Sequence, residues 1–318
     1  MPFDNILEFV EGPFGLYRTL LPVQRFILKL YYGIELDASE RQIPIYDHFQ
    51  ERLRYNLSET DYLEYLYGEG RCNVSNQSSL PRSGLVLAAG RRTGKTTLAE
   101  LITSYTVIQM LQMGNPHAAF GFNSAAQHIV TACYIGHNTD LSKEFLSRIT
   151  NHVVRCPELQ ASVFPNTGGN SREIRFLTPE GKRLGLTHCN LSVLAVDPRP
   201  RIHASARSML IFDELAYMPE EQEVFNANIP TIRPPGSYML LSTPRRSEGA
   251  FYNQFRHAML VAGPSEAPLA LQIPTWEMAP NMGPHLRQRF EENPTQFYVE
   301  YGAQWVPRNQ EVHIEIRV

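Results

Sequence analysis

The run Ala89-Gly-Arg-Arg-Thr-Gly-Lys-Thr-Thr97 puts glycines, a lysine and a hydroxyl at the spacing of a phosphate-binding loop. The chemistry sets that spacing. Backbone N–H groups of Gly90, Arg91, Arg92, Thr93 and Gly94, continued by Lys95, Thr96 and Thr97 at the start of a helix, can surround a β-phosphate. Gly94 lets the main chain approach closely, Lys95 reaches the β- and γ-phosphates, and the Thr96 hydroxyl can ligate Mg²⁺. The match to G-x-x-x-x-G-K-[ST] departs at one position: Ala89 stands where the first glycine belongs, with Gly90 directly after it.

A second half lies far downstream, where Ser208-Met-Leu-Ile-Phe-Asp-Glu214 is an apolar strand ending in two carboxylates. Asp213 is placed to hold Mg²⁺, through water or directly, at the C-terminal edge of a parallel sheet. Glu214 points to the other side of the strand and can polarise an attacking water as general base. Asp-Glu after an apolar strand is also how a solvated loop begins, but the phosphate loop requires such a partner. Together the two halves imply a nucleoside triphosphate site, read as ATP with Mg²⁺, equipped for hydrolysis rather than for transfer to an acceptor.

The elements that must carry these groups follow from periodicity. Leu85 to Leu87 form the strand entering the loop, and Leu98, Ala99, Leu101 and Ile102 the buried stripe of the helix leaving it. Further strands are predicted at Ile129 to Ile135, Leu191 to Val196, Tyr238 to Leu241 and Leu269 to Ile273, with helices to about Val154 and from about Gly249 to Leu260. A hairpin is predicted from Glu173 to Leu186 around Pro179-Glu-Gly-Lys. Residues 14–31 and 49–67 are expected as helices, with 68–84 a polar loop. The tyrosines of the second of these (Tyr55, Tyr62, Tyr65, Tyr67) read as core or subunit interface before base stacking. Strands alternating with helices give an α/β fold: a mostly parallel P-loop (ASCE/RecA-like) sheet with helices on both faces.

Composition narrows the classes. The 318 residues allow about two domains at ~150 residues each, or one elaborated α/β domain. With 43% hydrophobic and 19% charged residues the chain has the balance of a globular protein with a large core. A net charge of −3 gives no global basic field, so any nucleic-acid contact must come from local clusters such as Arg199/Arg201 and Arg245/Arg246. The four cysteines lack C-x-x-C spacing, and His188, Cys189 and His203 have no second ligand pair, which argues against zinc and for reduced thiols. No secretory signal and no apolar run near the ~20 residues of a membrane span is present. A soluble, intracellular protein is expected.

Leu240-Leu-Ser-Thr-Pro-Arg-Arg246, followed by Gly249-Ala-Phe-Tyr252, completes a pattern. With the arginine early in the P-loop and the Ile-Phe-Asp-Glu strand, it resembles the large terminase subunit of tailed bacteriophages, from about Pro22 to Trp305. That family couples an N-terminal ATPase to an RNase H-like nuclease and packages viral DNA into procapsids. The resemblance implies a γ-phosphate-sensing role for Arg91, a catalytic set of Glu214, Lys95 and Arg91, and a coupling role for Ser242 and Thr243. Gln24 resembles the adenine-reading glutamine, although a glutamine on an amphipathic helix is also a common surface residue. The resemblance further implies a homo-oligomeric ring, read as a pentamer, with a trans-acting arginine finger for which Arg201, Arg207 and Arg233 are candidates. Implied partners are double-stranded viral DNA, the portal protein of the procapsid and the small terminase subunit. No membrane is involved, and the implied location is the host cytoplasm, at the portal.

Three segments are expected: residues 1–80 as an N-terminal helical segment of the ATPase domain carrying the adenine motif, 81–260 as the P-loop core, and 261–318 as a lid or linker. Phe297-Tyr-Val-Glu-Tyr-Gly-Ala-Gln-Trp305 resembles the segment that closes the ATPase region, so nuclease activity is not expected from these residues. Two rival readings are a helicase-like or other RecA-like translocase, which lacks its further motifs here, and a nucleotide-switched assembly protein, against which Glu214 argues.

Overall fold

The computed structural model describes residues 3–46, 52–121, 128–164, 172–186, 190–198, 207–261 and 267–307. Nine strands lie in chain order: β1 Ile43–Tyr46, β2 Leu53–Leu57, β3 Gly84–Ala89, β4 Ile129–Gly136, β5 Glu173–Phe176, β6 Leu191–Val196, β7 Arg207–Asp213, β8 Ile232–Ser242 and β9 Leu269–Ile273. Seven form one mostly parallel sheet in the order β5-β6-β4-β7-β8-β3-β9, while β1 and β2 pair antiparallel by themselves. Strands β4 and β6, β4 and β7, and β3 and β9 run parallel, and β5 runs antiparallel to β6. Every residue of β3, β4 and β7 is buried, which is why these strands read as unbroken apolar runs rather than alternating ones.

The chain divides into two compact units. The first comprises Met1–Leu20, Thr96–Asp213 and Met218–Met239. In it the helix Thr139–Arg155 packs on β4 and β6, with Phe145, Ile149 and Val153 turned inward. Asn138 caps that helix by accepting from the Leu141 N–H at 2.9 Å. The second comprises Leu21–Lys95, Glu214–Tyr217 and Leu240–Val318, and its helix Gly249–Leu260 packs on β3 and β9. Asn73 pins the polar loop before β3, donating to the carbonyls of Ala258 (3.0 Å) and Pro268 (2.9 Å) and accepting from the Ala270 N–H (3.0 Å).

Three expected elements come out differently. Residues 14–31 are helical only over Pro22–Tyr32, because Pro22 is pre-set for the first helical turn and disfavours helical backbone at Leu21 before it. Residues 49–67 split into β2 and the helix Glu59–Gly68, whose start is fixed by Ser58 accepting from the Asp61 N–H at 3.1 Å. The hairpin around Pro179 is absent: Thr178 caps a short helix, Pro179–Arg183, and β5 pairs with β6 instead. Of the four cysteines, Cys72, Cys133 and Cys156 are buried free thiols, and Cys189 lies outside the described residues. No helix among the described residues is long and apolar enough to cross a membrane.

Candidate functional site

The phosphate loop begins where β3 ends. Gly90 donates to the Ile273 carbonyl at 3.1 Å, continuing the pairing of β3 with β9. A Cβ at this position would stand 2.2 Å from Thr275 Oγ1 and 2.6 Å from the Tyr301 carbonyl. Steric closeness therefore places the glycine at 90, and Ala89 is simply the last strand residue. The loop then turns through Arg92 (φ +60°) and Gly94 (φ +80°). Thr93 ties it by donating to the Gly90 carbonyl at 2.8 Å.

Lys95 is buried, and its ammonium donates to the carbonyls of Ala89 (3.3 Å) and Gly90 (3.1 Å) and to the Thr243 hydroxyl (3.0 Å). It also pairs with Glu214 Oε1 at 3.2 Å. The other carboxylate oxygen of Glu214 accepts from the Thr243 N–H (3.1 Å) and the Ser242 hydroxyl (3.3 Å). Glu214 adopts the left-handed backbone conformation (φ +57°), held by its N–H donating to the Leu241 carbonyl at 2.7 Å. Lys95 at the start of the helix Lys95–Gln112, Glu214 directly after β7, and Ser242 and Thr243 at the end of β8 are thus one hydrogen-bonded set. Burial first, and then the charge of Glu214, push the neighbouring Tyr217 phenol up to about 12, so it stays protonated.

In the other unit, Thr96 Oγ1 donates to Asp213 Oδ2 at 2.6 Å, and Asp213 is buried at the end of β7. An all-oxygen pair of hydroxyl and carboxylate suits a hard cation such as Mg²⁺. Among the described residues no cluster of three His, Cys, Asp or Glu could hold a metal alone. Thr97, next in the helix, hydrogen-bonds Glu100.

The remaining expected residues divide. Gln24 is buried, not a surface residue; its amide donates to the Thr93 carbonyl at 3.4 Å, which sets it against the loop despite their distance in sequence. Arg91 forms an ion pair with Glu300 at 3.2 Å, and its N–H donates to the Glu300 carbonyl at 2.7 Å. Arg92 reaches His285 Nε2 at 3.2 Å, on the helix Gly283–Glu292. Arg207 is corrected as a finger candidate: it is the first residue of β7, not in a loop, and is fully buried with Nη1 donating to Asn228 at 2.9 Å. A guanidinium so enclosed cannot enter a neighbouring subunit. Arg233 is exposed near the start of β8, while Arg199, Arg201, His188 and His203 lie outside the described residues. Arg245 sits over the Tyr217 ring at 5.5 Å, and Arg246 pairs with Glu248 at 3.6 Å. Glu300, Thr275 and Tyr134 are site neighbours that no motif singles out.

Sheet order, with β8 between the strand that enters the phosphate loop (β3) and the strand that ends in Asp213 (β7), defines a RecA-like α/β fold. No family model matches the chain, and no curated protein matches it. Among solved structures it is similar to the large terminase ATPase domain of Thermus phage P74-26, with TM-score 0.50 and 16% identity over 70% of this chain and 89% of that one. It is also similar to the large terminase of bacteriophage HK97, with TM-score 0.49 and 13% identity over 71% of this chain and 47% of that one. The large terminase of a thermophilic bacteriophage, in complex with ATP-gamma-S, gives TM-score 0.45 and 11% identity, over 70% and 48% of the two chains. The chain spans about half the length of these last two proteins. The resemblance to large terminase ATPase domains carried by three sequence motifs is therefore also a resemblance of fold.

Proposed function

We propose that this chain is the ATP-hydrolysing motor part of a viral DNA-packaging machine, coupling ATP hydrolysis to the movement of double-stranded DNA into a procapsid. One observation carries the reading: the Glu214 carboxylate is held between Lys95 and the Ser242–Thr243 strand end. A carboxylate beside the phosphate lysine can orient and deprotonate an attacking water, and a motor needs that group connected to an element that can move. In the proposed cycle an incoming triphosphate takes over the Lys95 ammonium, now bonded to backbone carbonyls and Glu214. Glu214, released from the lysine, accepts a proton from the attacking water. Lys95 and Arg91 offset charge on the γ-phosphate. Thr96 and Asp213 would hold Mg²⁺, which neutralises phosphate charge when bound. Gln24 reads the adenine. After phosphate loss Lys95 returns to Glu214 and Thr243, and the strand end bearing Ser242 and Thr243 transmits the change.

The three motifs and the P74-26 domain support the assignment to packaging. On that reading the partners are viral DNA, the portal protein, the small terminase subunit and four further copies of the chain in a ring, in the host cytoplasm. The test is phosphate release from ATP with and without duplex DNA, beside Glu214→Gln. Turnover that falls about 10²–10⁴-fold in the variant, with MgADP affinity kept, is expected. Equal turnover in both proteins sinks the hydrolytic role of Glu214.

A further inference from the structure

Tyr134 is a buried tyrosine in the middle of an apolar strand, and the cycle above does not use it. Its hydroxyl donates to Asp213 Oδ2 at 2.7 Å, the same oxygen that accepts from Thr96 Oγ1 at 2.6 Å. The ring is stacked on Phe145 at 4.0 Å between centroids, with planes 11° apart, so the hydroxyl is fixed from behind. Its path is kept open by Gly136, which is the parallel-register partner of Asp213. A Cβ at Gly136 would come 3.0 Å from Tyr134 Cε1. Strand register, a missing side chain and a stacked ring thus converge on one hydroxyl-to-carboxylate bond. A buried phenol needs some acceptor, and a backbone carbonyl would serve for stability alone. Here the acceptor is the carboxylate oxygen that Thr96 also engages.

We infer that Tyr134 is a positioning residue for the cation site: it holds Asp213 in the one rotamer that presents its carboxylate, together with Thr96, to a divalent metal. Thr96 has a single hydroxyl proton. Donating it to Asp213 leaves the Thr96 lone pairs facing away, open to a cation. The Tyr134 bond keeps Asp213 Oδ2 where Thr96 can reach it, so both metal-facing groups depend on one phenol. The inference rests on the reading of Thr96 and Asp213 as the metal pair.

The test measures metal binding without turnover. Mn²⁺ binding to the ADP-loaded protein is followed by electron paramagnetic resonance, and ADP affinity is measured separately in EDTA. Tyr134→Phe removes one oxygen and keeps the stack on Phe145. The expected result is Mn²⁺ binding weakened about 10–100-fold, the usual effect of losing a partner that orients a metal ligand, with metal-free ADP affinity unchanged. Gly136→Ala is the second variant, because its methyl pushes the ring edge aside and shifts the Tyr134 hydroxyl without removing it; it should weaken Mn²⁺ in the same sense. Unchanged Mn²⁺ affinity in Tyr134→Phe overturns the inference, as does an equal loss of ADP affinity in EDTA, which marks a merely structural role. If the wild-type protein adds nothing to the Mn²⁺ affinity of free ADP, the metal pair itself is wrong and the inference falls with it.

Discussion

Two consecutive carboxylates meet separate partners because Glu214 turns through the left-handed region (φ +57°). Asp213 completes its strand facing Thr96, while Glu214 faces Lys95. Non-glycine residues hold that conformation only where surroundings over-determine it, as the Leu241 carbonyl and the Thr243 N–H do here. Arg91 offers a test at the same scale. Its pair with Glu300 must open if the guanidinium is to meet a γ-phosphate, so Glu300→Gln should favour the triphosphate state selectively. Arg91 is 41% exposed, which limits the pair to about 1 kcal/mol. The expected outcome is ATP-γ-S bound up to about fivefold tighter with ADP affinity unchanged, by equilibrium titration. Equal tightening of both nucleotides would show that Glu300 does not discriminate the γ-phosphate. Lys95, Thr96, Asp213 and Glu214 were legible because their chemistry acts at fixed short spacing from backbone turns. Tyr134 and Glu300 were not, since each meets its partner across a distance in sequence that periodicity does not encode. Arg207 misled for a related reason: nothing local distinguishes an arginine that solvates a loop from one enclosed beside Asn228.

Among elements, the buried strands of the large sheet were legible, while β1, β2 and the short helices were not. Buried parallel strands announce themselves as apolar runs bounded by turns, and β3, β4, β6, β7 and β9 lie where that signal put them. The helix at Pro179–Arg183 carried a readable sign, a Thr178 cap followed by proline at the first helical position, which a hairpin reading of Pro-Glu-Gly-Lys passes over. The segment Pro294–Glu300 shows an element serving the site through packing. Phe297 is fully buried, stacks on Trp276 (5.8 Å) and Tyr301 (5.6 Å), and meets Phe290 edge-on (5.5 Å). Three residues later the same helix carries Glu300, and the Tyr301 carbonyl accepts from the Thr275 N–H beside Gly90. Phe297→Ala should cost about 3–5 kcal/mol in chemical denaturation, and Phe297→Leu distinctly less. If Phe297→Ala costs under about 1 kcal/mol, this aromatic cluster does not hold the segment in place.

At the scale of the whole molecule, stability should fall on the acid side through His152. Its imidazole is buried, accepting or donating at Ser104 Oγ (2.8 Å), and burial first, then the guanidiniums of Arg18, Arg155 and Arg148, push its pKa down to about 4. A histidine titrates near 6.5 when unfolded. Below that value the unfolded chain takes up a proton that the native one refuses, so stability falls as pH drops from 6.5 toward 4. The contribution lost between pH 7 and pH 5 is about 2 kcal/mol. Glu100, raised by burial, acts in the opposite direction at acid pH. The difference in slope between wild type and His152→Gln therefore isolates the histidine, and matching slopes would mean that the ring is not held neutral.

Assembly is the larger question at this scale, because on the proposed reading a trans arginine would make activity a property of neighbours rather than of one chain. With Arg207 enclosed, Arg233 is the candidate that is both described and exposed. Arg233→Ala should lower turnover about 10³–10⁵-fold if its guanidinium completes a neighbour's site. Loss of activity alone does not separate trans from cis action, but mixing does. If Arg233 is the finger and Glu214 the base, Arg233→Ala and Glu214→Gln chains should each be inactive. In a mixed ring, a Glu214→Gln chain can lend its intact Arg233 to an Arg233→Ala chain whose Glu214 is intact. An equal mixture should then recover up to about one quarter of wild-type turnover, rising with protein concentration as rings form. A mixture no more active than its two parts would assign Arg233 to its own chain or to no catalytic role, and would leave the finger to the segment that contains Arg201.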